Sequence, residues 1–361
     1  MDKLNFKHIF FLICAVSIAS QKTYPEIFIN LSGRDSWVAD IAACVIMILY
    51  FDYIVNIWVK NKCKSIIDVF DGAFGKLLGR CLLAIFVLGM FLSLVESASV
   101  ESSVMHTNMF IESPVWYIAL FVVLPGLYIV KNGKQSVMIV IIISMVISVF
   151  NGINLSILTQ QYKDYRRLFP IFQNGLNINF FTSIVKTVGM YSSISIVIPL
   201  LSQLKTDKKL RKYAFLSNLF IAQMVIVSTI GLLATFNSER ASTLVYGKLI
   251  QTQLVTYFGF IASGEFYVIF QTIASWFAKY IASFFSIMVI LKELRPGYKL
   301  PSLKIQIVLT LIVYIISYFS ARKLLVLFKL LNIYIYICIV LFFILPIAAF
   351  TIFNFKNKVR N

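Results

Sequence analysis

Ile9-Phe10-Phe11-Leu12-Ile13-Cys14-Ala15-Val16-Ser17-Ile18-Ala19-Ser20-Gln21-Lys22-Thr23-Tyr24-Pro25-Glu26-Ile27-Phe28-Ile29-Asn30-Leu31 is the stretch on which the fold turns. It is about as long as the ~20 residues a helix needs to cross the hydrocarbon core of a bilayer. Its two ends are apolar, but its middle holds a lysine, a glutamate and a proline. Pro25 offers no backbone N–H and clashes with the preceding turn, so helical hydrogen bonds near residue 21 are lost. Ser17 and Ala19, following Lys3 and Lys7, have the spacing of a signal-peptide cleavage site. Apolar character resumes through 24–31, however, and one interrupted spanning helix accounts for both halves. Such a break frees peptide groups: amides at a helix start favour a carboxylate, and carbonyls at a helix end favour an ammonium group.

Similar apolar runs recur along the whole chain. Of 361 residues, 60% are hydrophobic and 13% are charged, and the mean hydropathy is +0.86. A soluble domain carries about 45–50% apolar and about 25% charged residues. The runs place about ten spans, near 6–30, 37–59, 81–105, 114–130, 135–158, 179–203, 213–236, 262–291, 305–320 and 331–354. An all-α integral membrane protein follows, because backbone groups in lipid must be paired internally. A closed barrel is excluded, since its strands would alternate in polarity. One transmembrane domain, 1–361, is expected, with five spans in a first half (about 6–158) and five in a second (about 179–354).

The formal net charge of +18 does not signal nucleic acid. The basic residues sit in short loops between spans, where they set topology. Lys60, Lys62, Lys64, Lys76 and Arg80, the cluster at 205–212, and Lys292, Arg295, Lys299 and Lys304 all fall on the side of Lys3 and Lys7. That excess puts both termini in the cytoplasm. The linker 61–80 mixes Ile66, Ile67, Val69, Phe70 and Phe74 with charges and reads as an amphipathic helix at the inner surface. The outer segments 159–178 and 237–261 have room for caps or short helices.

Three lysines fall inside apolar runs: Lys22, Lys186 and Lys279. A charge at bilayer depth costs at least about 2.5–3.5 kcal/mol and faces a cavity, a partner charge or a transport path. A structural ion pair or snorkelling is the plainer alternative. Lys22 lies in the first break, one turn from Glu26, with which it could pair. Lys186 opens a second polar, glycine-containing stretch in the sixth run, Thr187-Val188-Gly189-Met190-Tyr191. Interrupted segments at matching positions of two halves point to a midplane binding site, whereas a kinked packing helix is the bland reading. The candidate ligand site is therefore Ala19, Ser20, Gln21, Lys22 and Thr23 with Thr187, Val188, Gly189, Met190 and Tyr191. Lys279 lies on a stripe of the eighth run with Glu265, Thr272, Ser275, Ala282 and Ser286. Glu96, on the third run among Ser93, Ser97, Ser99 and Ser103, is a candidate counter-charge for a buried lysine. Lys22, Glu26, Glu96, Lys186, Glu265 and Lys279 form the set of candidate buried or coupling charges.

Five scattered cysteines and two distant histidines give no metal-ligand spacing. Neither cofactor nor metal is expected. An enzyme is the least supported class, since no nucleophile–base set or phosphate loop appears.

The chain resembles the B subunit of bacterial spore nutrient-germinant receptors, the amino-acid-permease-like spore germination proteins. The resemblance rests on Phe6-Lys7-His8-Ile9-Phe10-Phe11-Leu12, on Ser32-Gly33-Arg34-Asp35-Ser36-Trp37, and on Phe74-Gly75-Lys76-Leu77-Leu78-Gly79. Leu168-Phe169-Pro170-Ile171-Phe172 with Gly175, then Gly189 with Pro199-Leu200-Leu201 and Lys208-Lys209, and finally Glu265, complete it. Met190-Tyr191 stand where the family commonly has a glutamate, and Ala262-Ser263-Gly264-Glu265 where it commonly has Arg-x-Glu. The resemblance implies an inverted five-plus-five fold of the amino acid–polyamine–organocation transporter type (LeuT-like), with helices 1 and 6 interrupted. It also implies a place in the spore inner membrane and the sensing of a small nutrient, most simply an amino acid, together with an A-type subunit and a C-type lipoprotein subunit. A proton- or ion-coupled amino-acid transporter is the competing expectation, and a scaffold with a vestigial pocket is a third.

Overall fold

The computed structural model describes residues 3–173, 175–255, 264–294 and 301–360. Arg295, Lys299, Ala262 and Ser263, used above for topology and motif comparison, lie outside them.

The first run forms two helices, α1 (His8–Thr23) and α2 (Glu26–Ser32), with Tyr24 and Pro25 between them. Next come α3 (Ser36–Lys60), α4 (Ile66–Phe74), α5 (Lys76–Asn108), α6 (Val115–Lys131) and α7 (Lys134–Leu158). The second half contains α8 (Ile178–Tyr191), which continues as a 3₁₀ helix over Ser192–Gln203, and then α9 (Lys208–Thr235). Short helices α10 (Ser238–Thr243) and α11 (Gly247–Gln253) precede α12 (Glu265–Glu293) and α13 (Leu303–Ala321). The last span, α14 (Leu324–Cys338), passes through a π turn (Ile339–Ile344) into α15 (Leu345–Arg360). Each apolar run in the sequence thus coincides with helical structure. Among the described residues, eight helical stretches are long and apolar enough to cross a membrane, and α1 and α6 are shorter apolar helices.

The sixth span stays helical throughout, and its interruption is a change of helix type. Ser192, Ser193 and Ser202 each donate a side-chain hydroxyl to the carbonyl three residues back, at 2.7, 3.0 and 2.8 Å. Pro199 removes a backbone donor from the same segment. Both effects favour the tighter winding of a 3₁₀ helix. Amphipathic α4 lies against α5 and α15, burying Ile66, Ile67, Val69, Phe70 and Ala73. Gly79 permits that contact, because a Cβ there would stand 2.5 Å from the Phe70 carbonyl oxygen.

The buried apolar residues fall into two clusters. Ile18, Ala98, Ala278 and Cys338 belong to one; Ala19, Val100, Trp276 and Ile335 belong to the other. The boundary between the clusters therefore crosses α1 between Ile18 and Ala19, α5 between Ala98 and Val100, α12 between Trp276 and Ala278, and α14 between Ile335 and Cys338. α8 meets it over 188–191, where Val188 and Tyr191 pack with one cluster and Met190 with the other. Ser20, Glu96 and Lys279, all buried, lie along this seam. Outward faces such as Ile307, Val308, Leu311 and Phe319 of α13 are exposed and apolar, as lipid-facing surface is in a membrane bundle.

Candidate functional site

The end of α1 carries polar chemistry on more than one side. On one side, Lys279 Nζ of α12 lies 2.6 Å from Glu96 Oε2 of α5, with both side chains almost fully enclosed (1% and 3% exposed). Lys279 also donates to Ser20 Oγ at 2.7 Å, while Ser20 and Tyr24 donate to Glu96 Oε1 at 2.9 and 2.5 Å. Trp276 closes the cluster: its Nε1–H donates to Thr23 Oγ1 at 2.9 Å, its ring stacks on Tyr24, and Lys279 Nζ sits 5.1 Å from its centroid. A buried pair is tolerable when further hydrogen bonds satisfy its remaining atoms, and here Ser20 and Tyr24 supply them. The network fastens the broken helix to α5 and α12.

On another side, Ala19, Lys22 and Thr23 line a cavity of about 370 Å³ between α1, α7, α9, α11 and α12. Lys163 and Lys248 line it as well, as do Gln223, Gln251, Gln271 and Ser275. Gln21 is buried, and neither its amide nitrogen nor its amide oxygen has a partner among the described residues.

Lys22 and Glu26 form no ion pair among the described residues. They lie on separate helices, α1 and α2, so the one-turn spacing that would join them in a continuous helix is lost at Pro25. Lys186 is half-buried and donates to Asn332 Oδ1 at 3.0 Å. Thr187 donates to Asp40 Oδ1 at 3.1 Å, and Thr229 donates to the other carboxylate oxygen at 2.6 Å. Gly189 is packed against α14, where a Cβ would stand 2.7 Å from both the Ile335 carbonyl oxygen and its Cγ2. Tyr191 donates its hydroxyl to Asn218 at 3.2 Å. Thr187, Val188, Gly189, Met190 and Tyr191 are all buried, and none of them lines the cavity. Glu265, at the head of α12, accepts from Gln253. Asp52 pairs with Arg211 at 2.7 Å near the surface.

Sequence reasoning did not reach Lys163, Lys248 or Trp276 as site residues. The two lysines fall in the outer segments 159–178 and 237–261 and read as loop charges, and Trp276 reads only as a displaced counterpart of a tryptophan common in the family the chain resembles.

The family described as "Spore germination protein" matches residues 3–296. No curated protein matches in sequence. Among solved structures, the chain is similar to MhsT in complex with L-phenylalanine, with a TM-score of 0.66 and 10% identity, over 96% of this chain and 97% of that one. It is also similar to the substrate-bound, outward-open state of a Na+-coupled sialic acid symporter, with a TM-score of 0.59 and 11% identity, over 94% of this chain and 79% of that one. At these identities the likeness is one of fold.

Proposed function

The chain belongs to the spore germination protein family, and on that premise we propose that it is the membrane subunit of a spore nutrient-germinant receptor. In this reading it sits in the spore inner membrane, binds a small nutrient such as an amino acid, and signals through A-type and C-type (lipoprotein) partner subunits. The observation that carries the proposal is the break at Tyr24-Pro25 beside a cavity of about 370 Å³. That volume lies within the roughly 300–1,000 Å³ of small-molecule pockets. α1 is held by the Glu96–Lys279 pair on one side and borders the cavity on another, so a ligand there touches a segment that two helices already hold in place. A ligand biases the bundle only through its differential affinity for two conformations, and a hinge at the break supplies a segment able to differ between them. Deleting the gene in a spore-former should abolish the response to at least one nutrient while spores still form. Unchanged germination on every nutrient overturns the proposal.

The Glu96–Lys279 pair favours a second reading, a proton- or ion-coupled transporter, because buried ionisable pairs commonly mark proton and ion pathways. Proteoliposomes decide between the two. Uptake of labelled amino acid that depends on a pH or sodium gradient supports transport, and binding without uptake supports the receptor.

A further inference from the structure

The lysines around the cavity differ from Lys279, the fully buried lysine of the bundle. Lys279 has Glu96, but Lys22, Lys163 and Lys248 line one cavity with no aspartate or glutamate among its lining residues. Lys163 Nζ and Lys248 Nζ come within 3.9 and 3.5 Å of the point that a Cβ on Gly231 would occupy. The missing side chain on α9 is thus the space in which two ammonium groups sit side by side. Their protein acceptors are all neutral: the Ser156 carbonyl at 3.1 Å and Gln160 Oε1 at 3.4 Å for Lys163, and Gln251 Oε1 at 3.0 Å for Lys248. Each ammonium has three donors, so at least one on each is left over. Lys22 has no hydrogen bond or ion pair among the described residues.

Like charges gathered without a counter-charge oppose one another's ionisation. Burial, and then the charges of Lys22 and Lys163, push the Lys248 ammonium down to about 7. A bound anion removes that conflict and satisfies the free donors.

We propose that this cavity binds a small, water-soluble organic anion, whose carboxylate meets Lys163 and Lys248 beside Gly231 and whose apolar part rests on Ile18, Ile153 and Met224. The proposal rests on the reading of the first helix break as the nutrient site, since Lys22 borders both, and it narrows the ligand to one of net negative charge. A zwitterion is disfavoured because its own ammonium would meet three lysines and no carboxylate.

The test uses the purified full-length chain in nanodiscs of phosphatidylcholine, read by thermal unfolding. The probes are L-glutamate, glutarate and 4-methylpentanoate, compared respectively with L-glutamine, the diamide of glutarate and 4-methylpentanamide. The carboxylates should raise the unfolding temperature and the amides should not. Lys248→Met and Lys22→Met should each weaken carboxylate binding by about tenfold or more, as removal of a charge from a desolvated pair does. Gly231→Asp places a carboxylate between Lys163 and Lys248. It should raise the unfolding temperature without any probe and abolish the response to probes, an outcome that a merely misfolded variant cannot give. Equal responses to acid and amide, no response to any carboxylate, or an unchanged response in Lys248→Met overturns the proposal. A shift on adding phosphatidylglycerol that the carboxylates do not displace assigns the cavity to lipid, and also overturns it. A carboxylate response together with normal nutrient germination of Lys248→Met spores leaves the anion site standing and removes the receptor reading. A response confined to zwitterionic amino acids does the reverse.

Discussion

Glu96 Oε2 and Lys279 Nζ lie 2.6 Å apart across α5 and α12, with both side chains shut off from solvent. Breaking a buried pair from one side leaves an uncompensated charge, at a cost of about 3–5 kcal/mol, whereas replacing both partners by neutral groups is often close to neutral. Glu96→Gln and Lys279→Met should each lower the unfolding temperature sharply in detergent, and the double variant should recover most of the loss. Additive losses would show that the two residues act independently.

Asp40 is fully buried on α3, and its two carboxylate oxygens accept from Thr187 and Thr229. Asp40→Asn keeps one acceptor and gains a donor that a threonine hydroxyl can accept, so it should be tolerated. Asp40→Ala leaves two hydroxyls without their partner and should cost about 1–3 kcal/mol in denaturant unfolding.

Gly189 lets α8 approach α14 to a distance that no side chain permits. Gly189→Ala should destabilise the bundle by about 1–3 kcal/mol through overpacking. Adding Ile335→Ala should recover part of that loss but not all of it, because the Ile335 carbonyl oxygen obstructs the new methyl group as closely as the side chain does.

Carboxylate binding to the cavity should strengthen as pH falls toward 7. Lys248 ionises near 7 instead of at its ordinary 10.5, so it is mostly neutral above that pH and charged below it. The other titratable groups on the lining are Lys22 and Lys163, and α9 and α12 contribute none. The anion favours the charged form, so on acidification affinity should rise by up to about tenfold per pH unit above 7 and level off below it, where Lys248 is already charged. Titration calorimetry in buffers of different ionisation enthalpy should register proton uptake on binding. A pH-independent affinity would remove Lys248 from the site.

The spans were legible in the sequence because a bilayer imposes a length and an apolar composition on any helix that crosses it, and runs such as 135–158 meet both. The break in the first span was legible because Pro25 acts through its own covalent structure. The sixth span was harder to read. Its change to 3₁₀ geometry depends on hydroxyls of Ser192, Ser193 and Ser202 reaching carbonyls one turn back, and a serine in sequence does not reveal whether it bends back on its own helix or reaches across to another.

By itself the sequence determined the membrane class, the approximate spans and the presence of lysines at depths where charge is costly, all of them properties of local composition. The tertiary structure alone decided the partners. Glu96 and Lys279 are 183 residues apart in sequence, and Lys22, Lys163 and Lys248 come from one helix end and two segments outside the spans. Charge interaction depends on distance in space and on the water that packing removes, and neither is written in the order of the chain.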